Sequence, residues 1–151
     1  MTPHSQHLSS NAVITTGEGL IKRIRTLTLS EQDSKIFARI CAESQNKNSI
    51  PFDVNAATEQ AKSVLWSFMH QANNSEKMVK ARFEIADARI GCTVFKKGAR
   101  AGQTGLLLKG QLLCLSHVWI KRKDAPDDAW QLGYEWHPSN DVHDLACTQQ
   151  H

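Results

Sequence analysis

Val79-Lys80-Ala81-Arg82-Phe83-Glu84-Ile85 sets apolar and charged residues in strict alternation. Successive side chains of a strand point to opposite faces, so the stretch specifies a strand with one buried and one wet face. Upstream of it apolar residues recur at three-to-four spacing, and downstream they recur at two. The chain thus divides into a helical half, residues 18–76, and a sheet half, residues 78–137.

Downstream, Asp87-Ala88 reads as a tight reversal into a second strand, where Ile90, Cys92 and Val94 alternate. A loop from Lys97 to Gly105 follows, and its three glycines favour turns. Leu106 to Lys123 is a long strand with a break expected near Gly110. Asp124 to Asp128, with Pro126, makes a turn, and Trp130, Leu132, Tyr134 and Trp136 alternate as a fourth strand ended by His137-Pro138.

Upstream, Asp53 or Asn55 caps a helix with Ala57, Ala61, Val64, Leu65, Phe68, Met69 and Ala72 on one face. Asn73, Asn74 and Ser75 end it, because their side chains compete for backbone hydrogen bonds. Before it, Ser30 caps a helix with Ile36, Phe37, Ile40 and Cys41 in a stripe, stopping in the polar run 44–49. Leu20, Ile21, Ile24 and Leu27, interleaved with Lys22, Arg23 and Arg25, predict a short amphipathic helix with a basic outer side. Helices followed by strands give an α+β domain: two or three N-terminal helices, then a four-stranded antiparallel meander with the helices packed on one face. Residues 1–151 form one domain, with 1–12 as a flexible arm and 138–151 as a polar tail.

Composition sets the function classes. The chain has 151 residues, 40% apolar and 22% charged, which is ordinary globular usage and excludes wholesale disorder. No apolar run approaches the roughly 20 residues that cross a bilayer, and the polar start lacks a signal sequence. Both point to a cytoplasmic protein with no membrane contact. The four cysteines, Cys41, Cys92, Cys114 and Cys147, read as reduced thiols acting as small apolar side chains. A net charge of +3 and a pI near 8.7 permit a polyanionic partner without demanding one.

The distribution of charge says more than its total. In the 96–105 loop, glycines let backbone amides approach an anion while Lys96, Lys97 and Arg100 add charge. It is not a P-loop, lacking the Gly-Lys-Ser/Thr ending and the helix after it. Lys109, Lys121 and Arg122 extend the positive charge along the third strand, although Asp124, Asp127 and Asp128 offset it at one end. Trp119, Trp130, Tyr134 and Trp136 read mainly as core, with Trp130 and Trp136 at strand ends as the candidates for stacking on bases.

Metal binding has a candidate set in Cys114, His117, His137, Asp141, His143 and Cys147, but Cys114 and His117 are three apart on a strand and face opposite ways. No metal or cofactor is therefore expected. No catalytic motif or spacing stands out, and a non-enzyme is the better reading. The leading expectation is a nucleic-acid-binding accessory or regulatory protein that uses Lys96, Lys97, Arg100 and Lys109, with Lys121 and Arg122 as secondary contacts. One alternative is a protein-interaction module such as an adaptor, inhibitor or immunity factor. Another is a small enzyme or ligand-binding domain with a pocket between helices and sheet.

Overall fold

A run of 17 residues from Ile14 to Ser30 forms the first strand, β1, and its two partners explain its length. Over Ile14–Leu20 it pairs with β4 (Lys77–Val94), and over Gly19–Ser30 with β2 (Asp33–Glu43), both antiparallel. The structure is a computed structural model and describes residues 13–43 and 49–137. The remaining elements are β3 (Ser49–Ala56), the helix α1 (Glu59–Ala72), β5 (Thr104–Arg122) and β6 (Gln131–Glu135).

The expected α+β arrangement is overturned. The chain is mostly strand with one helix, and five strands close into a barrel. Around the barrel β3 pairs with β2, β2 with β1, β1 with β4 and β4 with β5. A parallel contact between Phe52–Ala56 of β3 and Leu108–Leu112 of β5 closes the ring. β6 adds to the far end of β5. Of the expected meander, two features survive: the β4–β5 hairpin and the β5–β6 hairpin.

Residues 18–41 imitate helices for two reasons. In β1, Arg23 and Ile24 together face Ala38 in a β-bulge, with Arg23 in the left-handed region at φ 55°. The bulge lengthens the spacing between the buried residues Ile21 and Ile24 from two to three, which reads as helical. In β2 the inward residues are Ile36, Ala38, Ile40 and Ala42, a strict alternation hidden by its small alanines. Phe37, Arg39 and Cys41 point outward. Asp53 and Asn55, expected as helix caps, lie on the outer side of β3, whose Phe52, Val54 and Ala56 are buried.

The interior needs small residues where strands coil tightly. At Gly19 an added Cβ would stand 2.6 Å from the Cys41 carbonyl oxygen and 2.8 Å from the Ala42 Cα, so only glycine fits. Phe83, Ile21, Ile40, Leu65, Ile85, Leu112 and Leu115 fill the rest of the core.

The expected helix stands, and it covers one end of the barrel with Ala61, Val64, Leu65 and Phe68. Thr58 is its cap: Oγ1 accepts from the Ala61 N–H (3.1 Å) and donates to the Leu113 carbonyl (2.6 Å). Two residues on, the Gln60 amide pairs both ways with the Leu115 backbone, at 2.8 and 3.1 Å. These side chains continue the β5 edge where β3 ends and β6 has not begun. At the other end of α1, the Asn73 amide does the same for Ile24 in the β1 bulge, at 2.8 and 2.9 Å. Backbone groups of Leu113, Leu115 and Ile24 are thus paired by side chains of α1 and its caps.

The expected reversal at Asp87-Ala88 is a second bulge inside a continuous β4. Asp87 (φ 57°) and Ala88 together face Gly110. Beyond Arg89 and Ile90, residues 91–94 and 104–107 pair only with each other, as an arm leaving the barrel. Among the described residues no helix is long and apolar enough to cross a membrane. Cys92, expected buried, is exposed on the arm, whereas Cys114 is buried. Residues 1–12 and 138–151, expected as arm and tail, lie outside the described residues.

Candidate functional site

Both bulges and the outer side of β2 meet at one groove. Its volume is about 570 Å³, and Arg23, Arg25, Arg39, Arg89 and Lys109 line it together with Phe37. The β1 bulge supplies the first two arginines and the β4 bulge precedes Arg89. Alternation along β2 places Phe37 and Arg39 outward. Asp53 is the one carboxylate in the lining, and it is already engaged. Arg39 Nε donates to Asp53 Oδ1 at 2.8 Å and Nη2 to Oδ2 at 3.1 Å, a bidentate cross-strand pair. The hydrogen bond to Asp53 raises the Arg39 guanidinium above its ordinary pKa, against the opposing effect of burial. Beyond that pair the groove holds four further cations and no second carboxylate, and one of the four, Lys109, stands beside Asp53 in the β3–β5 ladder.

Two details tell against a purely structural role for this charge. Arg89 and Lys109 stand directly opposite in the β4–β5 ladder, and like charges in that position destabilise a sheet. Arg25 lies over the Phe37 ring at 5.5 Å, so an aromatic face and a guanidinium are offered together. The Lys109 side chain lies over Gly91 at the base of the arm, where an added Cβ would come within 2.9 Å of it.

The loop singled out from sequence tips the arm that carries Arg89 and Lys109. Gly98 and Gly102 take positive φ (83° and 86°), and Gly102 N–H donates to the Phe95 carbonyl at 2.7 Å. Lys96, Lys97 and Arg100 are exposed there, Arg100 stacking over Phe95 at 4.4 Å. At about 3.3 Å per residue, the tip stands about 15–25 Å from the groove cations.

The other expected contacts lie elsewhere. Lys121 is buried at the far end of β5, where Nζ donates to the Ala125 carbonyl at 2.8 Å and holds the following turn. Arg122 is exposed and sits 3.4 Å from Asp124. Trp130 is half-buried, with the amines of Lys80 and Lys121 at 4.7 and 5.4 Å from its ring. Trp136 is half-buried and its backbone N–H donates to the Ser116 carbonyl. Trp119 faces outward, stacked on His117 at 5.6 Å, while Tyr134 packs against the core. Among the described residues no group of three or more histidine, cysteine, aspartate or glutamate side chains could hold a metal. Asp141, His143 and Cys147 of the metal candidate set lie outside the described residues.

Arg23, Arg25, Phe37, Arg39 and Arg89 were not among the sequence-level candidates. A helical reading of 18–41 scatters the first four over two helices, which leaves Arg89 and Lys109 without the residues they share the groove with. The available signal was the alternation Phe37-Ala38-Arg39-Ile40, which puts an aromatic and a cation on one face of a strand.

The profile of a family described as a protein of unknown function (DUF3577) matches residues 6–129, and the chain belongs to that family. No curated protein and no solved structure matches it.

Proposed function

We propose that this family member binds single-stranded nucleic acid in the groove between the two bulges, as a cytoplasmic accessory or regulatory protein. The observation that carries the reading is the convergence of Arg23, Arg25, Arg89 and Lys109 around Phe37 with no free carboxylate. Clustered cations suit the phosphates of a strand, and the half-exposed Phe37 ring suits an unstacked base. Phosphate contacts of this kind give affinity with little sequence discrimination. Lys96, Lys97 and Arg100 at the arm tip extend the same field along a strand leaving the groove.

The barrel topology supports the reading by analogy. Five strands closed by a parallel β3–β5 contact, with the helix between β3 and β4, is the arrangement of the oligonucleotide/oligosaccharide-binding barrel. Such barrels bind on the β2–β3 face and on the loops joining strands 1–2 and 4–5. Because one fold hosts many functions, the groove rather than the topology bears the argument.

The test is to titrate isotope-labelled protein with a short oligothymidylate and follow backbone amide shifts. Shifts concentrated at residues 23–25, 37–39, 89–91 and 109–111 are expected. No saturable shift, or shifts confined to α1 and β6, would overturn the proposal.

A further inference from the structure

Beside the first groove, on the other side of the β1 bulge, lies a second cavity of about 660 Å³. Arg23 and Arg25 line both. The second cavity adds Lys22, Lys77 and Lys123, and no aspartate or glutamate lines it. Its floor is apolar, formed by Ile21, Ile24 and Val79, and the Asn73 amide pins its rim to the Ile24 backbone.

The ladders mark the same path. Lys22 stands directly opposite Arg39, so one cation of the pair lines the second cavity and the other lines the first. At the far end Lys77 stands opposite Arg122. With Arg89 and Lys109 these make three like-charged cross-strand pairs among the described residues, each with at least one member lining a cavity. Each lowers sheet stability, since like charges directly opposite repel. Arg39 and Arg122 have acidic neighbours in Asp53 and Asp124, whereas no ion pair is formed by Lys22, Lys77, Arg89 or Lys109 among the described residues.

We propose that the two cavities form one continuous track, and that a single strand long enough to leave the first groove passes over the Arg23 bulge and lays its phosphates along Lys22, Lys77 and Lys123. This rests on the first groove being the nucleic-acid site. The occupant is a single-stranded polyanion: the path bends at the bulge, and its far half offers cations over an apolar floor without an exposed aromatic ring. Phosphate contact and shape dominate there, and base stacking belongs to the Phe37 end.

The test compares labelled oligothymidylates of about 6 and about 16 nucleotides, lengths within the span one such barrel covers. Their affinities are measured across a salt series on wild type, on the triple variant Lys22→Ala/Lys77→Ala/Lys123→Ala, and on the matching lysine-to-arginine variant. Single strands lose about 0.7 in salt slope per phosphate contact. The longer oligomer should therefore show a slope steeper by about 2 than the shorter. The alanine variant should abolish that increment without changing the short oligomer's Kd, and the arginine variant should restore it. If the alanine variant binds the long oligomer as wild type does, while the short one still binds, the track fails and the first groove stands. If neither length binds wild type, both proposals fall.

Discussion

Lys109→Glu should make the protein more stable and a poorer binder, and the opposite signs are what make the variant informative. Lys109 faces Arg89 across the ladder, and both line the groove that also holds Arg23 and Arg25. A cross-strand pair contributes roughly 0.2–1 kcal/mol, unfavourable for like charges and favourable for opposite ones. Reversing one charge removes that repulsion and adds an attraction, and the like-charge contact it creates with Asp53, the β3–β5 neighbour of position 109, is muted because Arg39 already holds that carboxylate. Arg89 and Lys109 are solvent-exposed, so screening reduces the sum. A gain of about 0.5–1 kcal/mol at low salt is expected, shrinking as salt is raised. Binding moves the other way. One lost phosphate contact weakens a single strand by about fivefold at 0.1 M salt, from a slope of 0.7, and a full charge reversal by about 25-fold. Lys109→Gln should fall between wild type and Lys109→Glu in both readouts. Urea unfolding followed by tryptophan fluorescence gives the stability, and anisotropy of a labelled oligomer gives the affinity. Lower stability for Lys109→Glu at unchanged affinity would refute the idea that this charge is held against the fold for the sake of a ligand.

Other changes probe the ring and the frame around the groove. Phe37→Ala should weaken single-strand binding by the stacking of one base, about 1–3 kcal/mol, with little effect on unfolding because the ring points away from the core. Lys97→Ala with Arg100→Ala should lower the salt slope by about 1.4 and leave the circular dichroism spectrum unchanged, since both residues are exposed. Asn73→Ala removes both hydrogen bonds to Ile24 and should cost about 1–3 kcal/mol in urea unfolding. Gly19→Ala places a methyl group against the Cys41 and Ala42 backbone and should destabilise by about 1–3 kcal/mol or prevent folding.

Sequence reading succeeded where a pattern is local. Helix α1 shows its face in Ala61, Val64, Leu65 and Phe68, and β4 shows its alternation from Val79 to Ile85. It failed where one residue breaks the phase. The bulge at Arg23 converts a two-residue period into three, and Ala38 and Ala42 are too small to register as core although both are buried. Barrel closure has no local signal at all, because Phe52 meets Leu108 across a long separation in sequence. The groove shared that fate. Lys109 and the loop of Lys96, Lys97 and Arg100 stand out in a strand-and-loop reading. Arg25, Phe37 and Arg39 become a site only when β1 and β2 are known to be neighbouring strands. The pairing of Arg39 with Asp53 likewise depends on the β2–β3 register.

The most direct test of the groove is the anisotropy of a labelled oligothymidylate of about 16 nucleotides, titrated with protein between about 50 and 200 mM salt. Wild type is compared with Arg25→Ala/Arg89→Ala/Lys109→Ala, three exposed residues whose loss leaves the core untouched. Saturable binding is predicted, with the logarithm of the binding constant falling linearly against that of salt. The triple variant should bind more weakly, with a slope shallower by about 2. An absence of saturable binding, or an unaltered slope in the folded variant, would contradict the account.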